Sequence, residues 1–433
     1  MSAPYQVQPQ AKPFDGPPVK VPGSKSITNR ALMVAALAEG DTLLGGALFS
    51  DDSRHMAACL DEMGIPVQMD PALEIMRVQG QGHPPKRRAQ VPQAFVGNAG
   101  TAARFLPCLV AAGDATVDFK GDPRMSERPM GELLKLLADQ GAVVSGGDRY
   151  PFTLTGHGLR GGALSLDISH STQFASGLLM AAPYAKAPLS LTVTGDRQQI
   201  PYVDMTAEVM RQFGVAVRRE GAVFHVPQGR YTAVERYGVE PDLSAAAYFF
   251  AATTLIGGKV TILGTQAQAM QGDIRFLKVL QHLGASFYQD EQGLTLEKDP
   301  STPLKGGLTV DMNAFSDQAL TLAAMAPFCD GPITVKNVAH IRDQECDRIK
   351  AAVANLKLLG IQAEEQPEGF TVQPGAPQGA SLPSYGDHRV AMAFSLVGLR
   401  TAGVFIQDPG CVAKTFADYW QALEAFQAGR LHA

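Results

Sequence analysis

Charge is scarce and slightly acidic: 18% of the 433 residues are charged, for a net −5. A nucleic-acid surface would show a basic excess, so nucleic acid is not expected as a partner. No apolar run reaches the roughly 18 residues that a membrane span needs. The opening MSAPYQVQPQAKPFDGPPVK has neither an apolar signal core nor the Arg/Ser-rich character of a transit peptide. No membrane association is expected. The five cysteines, Cys59, Cys108, Cys329, Cys346 and Cys411, are odd in number and scattered, without CxxC or Cys/His ligand spacing. That argues against a zinc site and a disulfide framework, and it predicts reduced thiols in a cytoplasmic protein. What remains is an ordinary globular composition, 45% hydrophobic, in a chain longer than one core usually supports. Two domains are expected.

What the chain does have is a repeat. Six nearly all-apolar helical stretches open on polar, cap-like residues at Ser24, Asn98, Ser171, Asp242, Ser316 and Asp387, spaced 74, 73, 71, 74 and 71 residues apart. Short alternating strands follow at 115–120, 189–194, 259–263, 332–337 and 403–407. A second, amphipathic helix comes next, as in Met130, Leu133, Leu134 and Leu137 or Met205, Val209, Met210 and Phe213. It ends on glycine, at Gly64, Gly141, Gly214, Gly284 and Gly360, spaced 77, 73, 70 and 76 residues apart. Six copies divide into two domains of three, with a hinge expected in 234–244. The sixth copy ends early at a helix around Phe416 to Phe426, so the segment around Tyr5 to Val21 is expected to supply its missing strands. The inner helices are too apolar to face water, which favours a closed arrangement in each domain over an open solenoid.

The helix starts carry chemistry. Bare N–H groups and the positive end of a helix dipole attract phosphate or carboxylate. VPGSKSITNR at 21–30 places Lys25 and Ser26 in a first turn with Arg30 one turn on, and GNAGTAARF at 97–105 adds Gly100, Thr101 and Arg104. Cations there oppose the dipole, and a bound anion resolves the conflict.

Together with GDPRMSERP at 121–129, STQF at 171–174, QGDIRF at 271–276, DQECDRI at 343–349, GDHRVAM at 386–392 and CVAKTF at 411–416, these segments closely resemble the EPSP synthase (3-phosphoshikimate 1-carboxyvinyltransferase) family. The motifs keep the family's order and spacing from about Val21 to the end. The resemblance implies an α/β fold, a two-domain inside-out barrel of six βαβαββ-type repeats, three per domain, with helices inside and sheets outside. The domains would be 22–241 and 1–21 plus 242–433, with the active-site cleft between them. The implied reaction transfers the carboxyvinyl group of phosphoenolpyruvate to the 5-hydroxyl of shikimate 3-phosphate and releases phosphate, without metal or organic cofactor. A monomer is expected.

By motif position, the resemblance assigns shikimate 3-phosphate to Lys25, Ser26, Arg30, Ser171, Thr172, Gln173, Tyr202, Asp317 and Gln344. It assigns phosphoenolpyruvate to Lys25, Gly100, Arg128, Gln173, Arg348, Arg389 and Lys414. Lys25, Asp317 and Glu345 are the candidates for acid and base work, their roles undivided. The cations suit the task, because two phosphates and two carboxylates must lie close together. Guanidinium forks grip such groups bidentately, and lysines act as point charges.

Gln344 stands where the family usually has lysine, with Asp343 before it; His340 replaces an asparagine, Phe105 a proline, and Gln199 a serine. Losing one phosphate-binding cation costs about 1.5–3 kcal/mol unless His340 or Arg342 substitutes. Asp242 reads as a helix cap, His388 as support for the Asp387/Arg389 turn, Arg124 and Arg342 as ion-paired groups, and Cys411 as packing beside Lys414. Two other functions compete. One is an enolpyruvyl transferase acting on UDP-N-acetylglucosamine or a specialised hydroxy acid, disfavoured by Lys25-Ser26 in place of Lys-Asn and by the absence of cysteine from GDPRMSERP. The other is a silent anion-binding scaffold, suggested by Gln344 and disfavoured by Asp317, Glu345 and Lys414.

Overall fold

Six helices are apolar on every side, and the fold buries them as that pattern demands. In a computed structural model that describes residues 3–169, 171–195 and 201–432, these inner helices are Lys25–Leu37, Gly100–Ala111, Thr172–Ala181, Leu243–Ile256, Ala319–Met325 and His388–Gly398. Every residue of Gly100–Ala111 is buried. The chain divides into two compact units, Gly23–Val239 and Met1–Pro22 together with Glu240–Ala433. Each unit holds three of the helices. No helix among the described residues is long and apolar enough to cross a membrane.

Each copy also contributes a sheet, built to one plan. In the second copy Gln93–Phe95 pairs parallel with Thr116–Lys120, Phe152–Thr155 adds antiparallel, and Val143–Ser145 closes the edge. The inner helix is the crossover between the two parallel strands, and the amphipathic helix Gly131–Asp139 lies between the second strand and the hairpin. The copies at 162–226 and 308–372 repeat this order. The first copy of each unit lacks a strand ahead of its inner helix, and the unit closes on itself to replace it. Arg236–Gly238 pairs with Glu39–Gly45 in the first unit, and Phe14–Asp15 pairs with Gly258–Leu263 in the second.

The C-terminal glycines do what their positions predict. All five have φ between 77° and 107°, a region that a Cβ penalises. The residue after each glycine donates back to the amphipathic helix in the same way: Ile65 to Leu60, Ala142 to Leu137, Val215 to Met210, Ala285 to Leu280 and Ile361 to Leu356, at 2.9–3.0 Å. Close helix contact also needs small residues. A Cβ on Gly177 would stand 2.8 Å from the Arg104 carbonyl oxygen of the neighbouring inner helix.

Three expectations change. Asn98 does not open its helix, which starts at Gly100 behind Ala99; the Asn98 side chain accepts from Arg128 instead. Ser316 and Asp317 lie in a tight turn, Asn313–Gln318, whose Phe315 is non-helical (φ −146°, ψ 45°), so regular helix begins only at Ala319. The N-terminal segment gives the sixth sheet one strand, Tyr5–Gln6, while Phe14–Asp15 and Val19 pair with the fourth. The other openings cap as expected: the side chains of Ser171, Asp242 and Asp387 accept from N–H groups of their own first turns, and Ser24 takes the capping position by backbone alone. Gln199 lies outside the described residues.

Candidate active site

In the first unit, a mesh of hydrogen bonds ties together the starts of the three inner helices. Arg30 is 1% exposed and donates to Thr206 Oγ1 (2.7 Å), the Ser26 carbonyl (2.9 Å), Ser176 Oγ (3.1 Å) and the Tyr202 carbonyl (3.0 Å). Its guanidinium also lies 5.3 Å from the Phe105 ring and 5.9 Å from that of Tyr202. Burial pushes the Arg30 pKa down to about 10, with Tyr202 opposing. So Arg30 acts largely on protein atoms, fixing the turn that presents Lys25 and Ser26, both of which are only partly buried. Asn29 Nδ2 donates to Thr101 Oγ1 at 2.6 Å, joining this helix to the next.

The second helix start is built against arginine. Arg128 donates to the carbonyl and the side chain of Asn98 at 3.3 and 3.2 Å. A Cβ on Gly100 would lie 2.8 Å from Arg128 Nη2, so the glycine makes room for that guanidinium. Arg104, buried beneath, donates to the carbonyls of Gly100 and Pro129, and burial followed by the charge of Arg128 lowers its pKa. Ser171 uses its hydroxyl on the N–H of Gln173 at 3.2 Å, beside the buried Thr172. Against these cations stands Asp52, 3.4 Å from Lys25 Nζ. This face is cationic before any ligand arrives.

The second unit's residues form a charge-balanced cluster. Asp317 receives Arg348 Nη1 at 3.0 Å and Arg389 Nη2 at 2.9 Å. Arg348, 2% exposed, also grips Asp387 through Nε (2.7 Å) and Nη2 (3.2 Å) and donates to Gln344 Oε1. Glu345 receives Lys414 Nζ at 3.0 Å and His388 Nδ1 at 2.8 Å. Three carboxylates thus face three cations. Burial opposes the charge of Glu345, yet His388 and Lys414 hold it well below the usual carboxylate range. Burial pushes His388 below the ordinary imidazole value. A neutral His388 must then donate from Nδ1, because ionised Glu345 only accepts, and its buried Nε2 has no hydrogen-bond partner among the described residues.

Glu345, Asp387 and His388 lie within 4.8 Å of one another through their ligand atoms. Arg348 and Lys414 already balance these carboxylates, so a metal ion would meet two full positive charges. The cluster suits an anion. An incoming phosphate or carboxylate competes with Asp317 for Arg389 and with Glu345 for Lys414.

The first unit carries Lys25, Ser26, Arg30, Gly100, Arg128, Ser171, Thr172, Gln173 and Tyr202, and the second carries Asp317, Gln344, Glu345, Arg348, Arg389 and Lys414. The exceptions to direct placement are Arg30, turned to protein atoms, and Gln344, which accepts from Arg348. Asp52 joins Lys25 in the first unit, and Asp387 and His388 join the second unit's cluster, although the sequence reading left them out or gave them only turn roles; the His388 hydrogen bond goes to Glu345, with Asp387 of its own turn 3.7 Å away. His340 Nε2 sits 2.7 Å from Ser316 Oγ. Arg342 pairs with Asp347 and Glu365, and Arg124 with Glu127. Phe105 turns to Arg30.

Residues 11–423 match the family described as EPSP synthase (3-phosphoshikimate 1-carboxyvinyltransferase). A 3-phosphoshikimate 1-carboxyvinyltransferase of Nostoc punctiforme is 44% identical over 407 residues, covering 93% of this chain and 94% of that protein. The solved EPSP synthase of Acinetobacter baumannii superposes with a TM-score of 0.82 at 26% identity, over 98% of both chains. The enolpyruvyl transferase NikO from Streptomyces tendae shares the fold, with a TM-score of 0.75 at 16% identity over 98% of both chains.

Proposed function

The chain belongs to the EPSP synthase family, and from that premise we propose that it transfers the carboxyvinyl group of phosphoenolpyruvate to the 5-hydroxyl of shikimate 3-phosphate, giving EPSP and phosphate. The observation that carries this reading is the cluster in which Lys414 and Arg389 are each held by a carboxylate, Glu345 and Asp317. Lys25, Ser26, Arg30, Ser171, Thr172, Gln173, Tyr202, Asp317 and Gln344 serve shikimate 3-phosphate, Arg30 by fixing the Ser26 and Tyr202 turns. Lys25, Gly100, Arg128, Gln173, Arg348, Arg389 and Lys414 serve phosphoenolpyruvate. We read each unit as an inside-out barrel, helices within and sheets without, in a cytoplasmic monomer that uses no metal or cofactor.

The charge pairs explain how acid and base are produced. Phosphoenolpyruvate oxygens that take Lys414 weaken its hold on Glu345, whose proton affinity then rises. Glu345 becomes able to protonate C3. The oxygens that take Arg389 likewise leave Asp317 a stronger base for the 5-hydroxyl proton. The hydroxyl oxygen bonds to the cation-like C2, and Lys25 stabilises the anionic oxygens around it, an effect worth roughly 10²–10⁴ in rate. One of the three hydrogens now on C3 then passes to Glu345 as a proton while the C2–O bond to phosphate breaks. The proton from the 5-hydroxyl leaves with phosphate, so the sum is balanced.

The test is phosphate release from phosphoenolpyruvate with shikimate 3-phosphate or UDP-N-acetylglucosamine as acceptor. Release should require shikimate 3-phosphate. Release with the sugar nucleotide alone, or with neither acceptor, would contradict the reading.

A further inference from the structure

The inner helices of the second unit also converge at their C-terminal ends, opposite the turns that carry Asp317 and Arg389. A cavity of about 570 Å³ opens there, within the range of roughly 300–1,000 Å³ typical of small-molecule pockets. Its floor is apolar, made by Leu255, Phe328 and Leu399 near the three helix ends. Its walls are the strap Pro9–Pro13 and the loop Pro300–Leu304. The strap is anchored by the Gln10 N–H, which donates to the Leu399 carbonyl at 2.8 Å.

The charges are one-sided. Lys12, Lys298 and Arg400 line the cavity, with Asp330 as the acid among the lining residues. Asp330 is turned to the Gly306 N–H. The Arg400 guanidinium lies over the Phe328 ring, 4.9 Å from its centre, and has no hydrogen bond or ion pair among the described residues. Three full positive charges stand against Asp330 and three helix ends of about half a negative charge each. The balance stays positive.

The first unit treats the corresponding place differently. Ala182-Pro183-Tyr184 follows an inner helix there as Ala326-Pro327-Phe328 does here. The Tyr184 hydroxyl donates to the carbonyl of Leu37, the last residue of a neighbouring inner helix, and accepts from the Tyr231 N–H at 3.3 Å. Phe328 has no hydroxyl to make such a bridge, and an arginine covers its face instead.

We infer that this cavity binds a small aromatic carboxylate, its ring against Phe328, Leu255 and Leu399 and its carboxylate on the guanidinium fork of Arg400. A guanidinium held flat by an aromatic ring keeps its N–H edge free for a planar bidentate partner. Calorimetric titration tests this, with benzoate, benzamide and inorganic phosphate as probes of the full chain and of the variants Arg400→Leu and Thr302→Trp. Arg400 and Thr302 are both exposed, so neither change disturbs the core, and the tryptophan fills the cavity from its rim. Benzoate should bind the unaltered chain at least ten-fold more tightly than benzamide or phosphate. Its affinity should fall at least ten-fold in each variant, with turnover unchanged. Absence of benzoate binding, or equal affinity in either variant, would overturn the inference and leave the cations as complements to the helix ends. Phosphate binding as tightly as benzoate would overturn the aromatic assignment.

Discussion

Asp273→Asn should stabilise the protein at neutral pH and leave its stability unchanged near pH 4. The carboxyl lies buried among the helix starts of the second unit, where Oδ1 accepts from Gln318 Nε2 at 2.8 Å and Ser244 Oγ at 3.1 Å. Burial first, then the charge of Asp317, pushes its pKa from 3.8 up to about 6, with Arg389 and the Gln318 bond opposing and Asp242 adding. The folded value exceeds the unfolded one, so the folded state binds more protons between those two values. The contribution is therefore fully present below about pH 4 and lost as pH rises through about 6. A rise of about two units corresponds to about 3 kcal/mol. Asparagine offers the same acceptor without the charge. Urea unfolding should then show the variant more stable by up to about 3 kcal/mol at pH 7.5, with the two proteins coinciding near pH 4. A variant equally or less stable at pH 7.5 would refute the idea that Asp273 carries a buried charge that its neighbours fail to offset.

Three further outcomes follow from the contacts. Gly100→Ala places a Cβ 2.8 Å from Arg128 Nη2; the guanidinium can swing away, so the protein should fold while the Michaelis constant for phosphoenolpyruvate rises about ten-fold and that for shikimate 3-phosphate changes little, as steady-state kinetics would show. Lys25→Ala should reduce kcat/KM by about 100-fold or more, and a variant keeping a tenth of the activity would remove Lys25 from the chemistry. Arg348→Met strands Asp387, which is 0% exposed, and should cost about 3–5 kcal/mol in denaturant unfolding, whereas a loss below about 1 kcal/mol would show that Asp387 finds another partner.

The repeat was legible because its signals are local. An all-apolar helix has one solution, burial, and a glycine after an amphipathic helix marks a left-handed turn whichever copy it closes. Tyr5–Gln6 and Phe14–Asp15 could not be assigned to their sheets in the same way, since two-residue strands carry no alternation and their partners lie hundreds of residues away. The same contrast holds in the site. Cations at helix starts, as at Lys25, stand out against the dipole. Their partners do not, because Asp387 meets Arg348 across 39 residues and His388 meets Glu345 across 43. Ser316 misleads for a related reason: Phe315 leaves the helical conformation, a kink that an apolar pattern does not announce. Gln344 reads in the sequence as a missing cation, and the sequence does not announce that its carbonyl accepts from Arg348, a bond a lysine could not make.

Carboxyvinyl transfer through protonation and deprotonation of C3 is tested most directly by mass spectrometry of the product formed in D₂O from unlabelled phosphoenolpyruvate and shikimate 3-phosphate. The account predicts EPSP whose vinyl methylene carries deuterium, with phosphate released in equal amount. Unlabelled EPSP, or pyruvate and phosphate in place of EPSP, would contradict it.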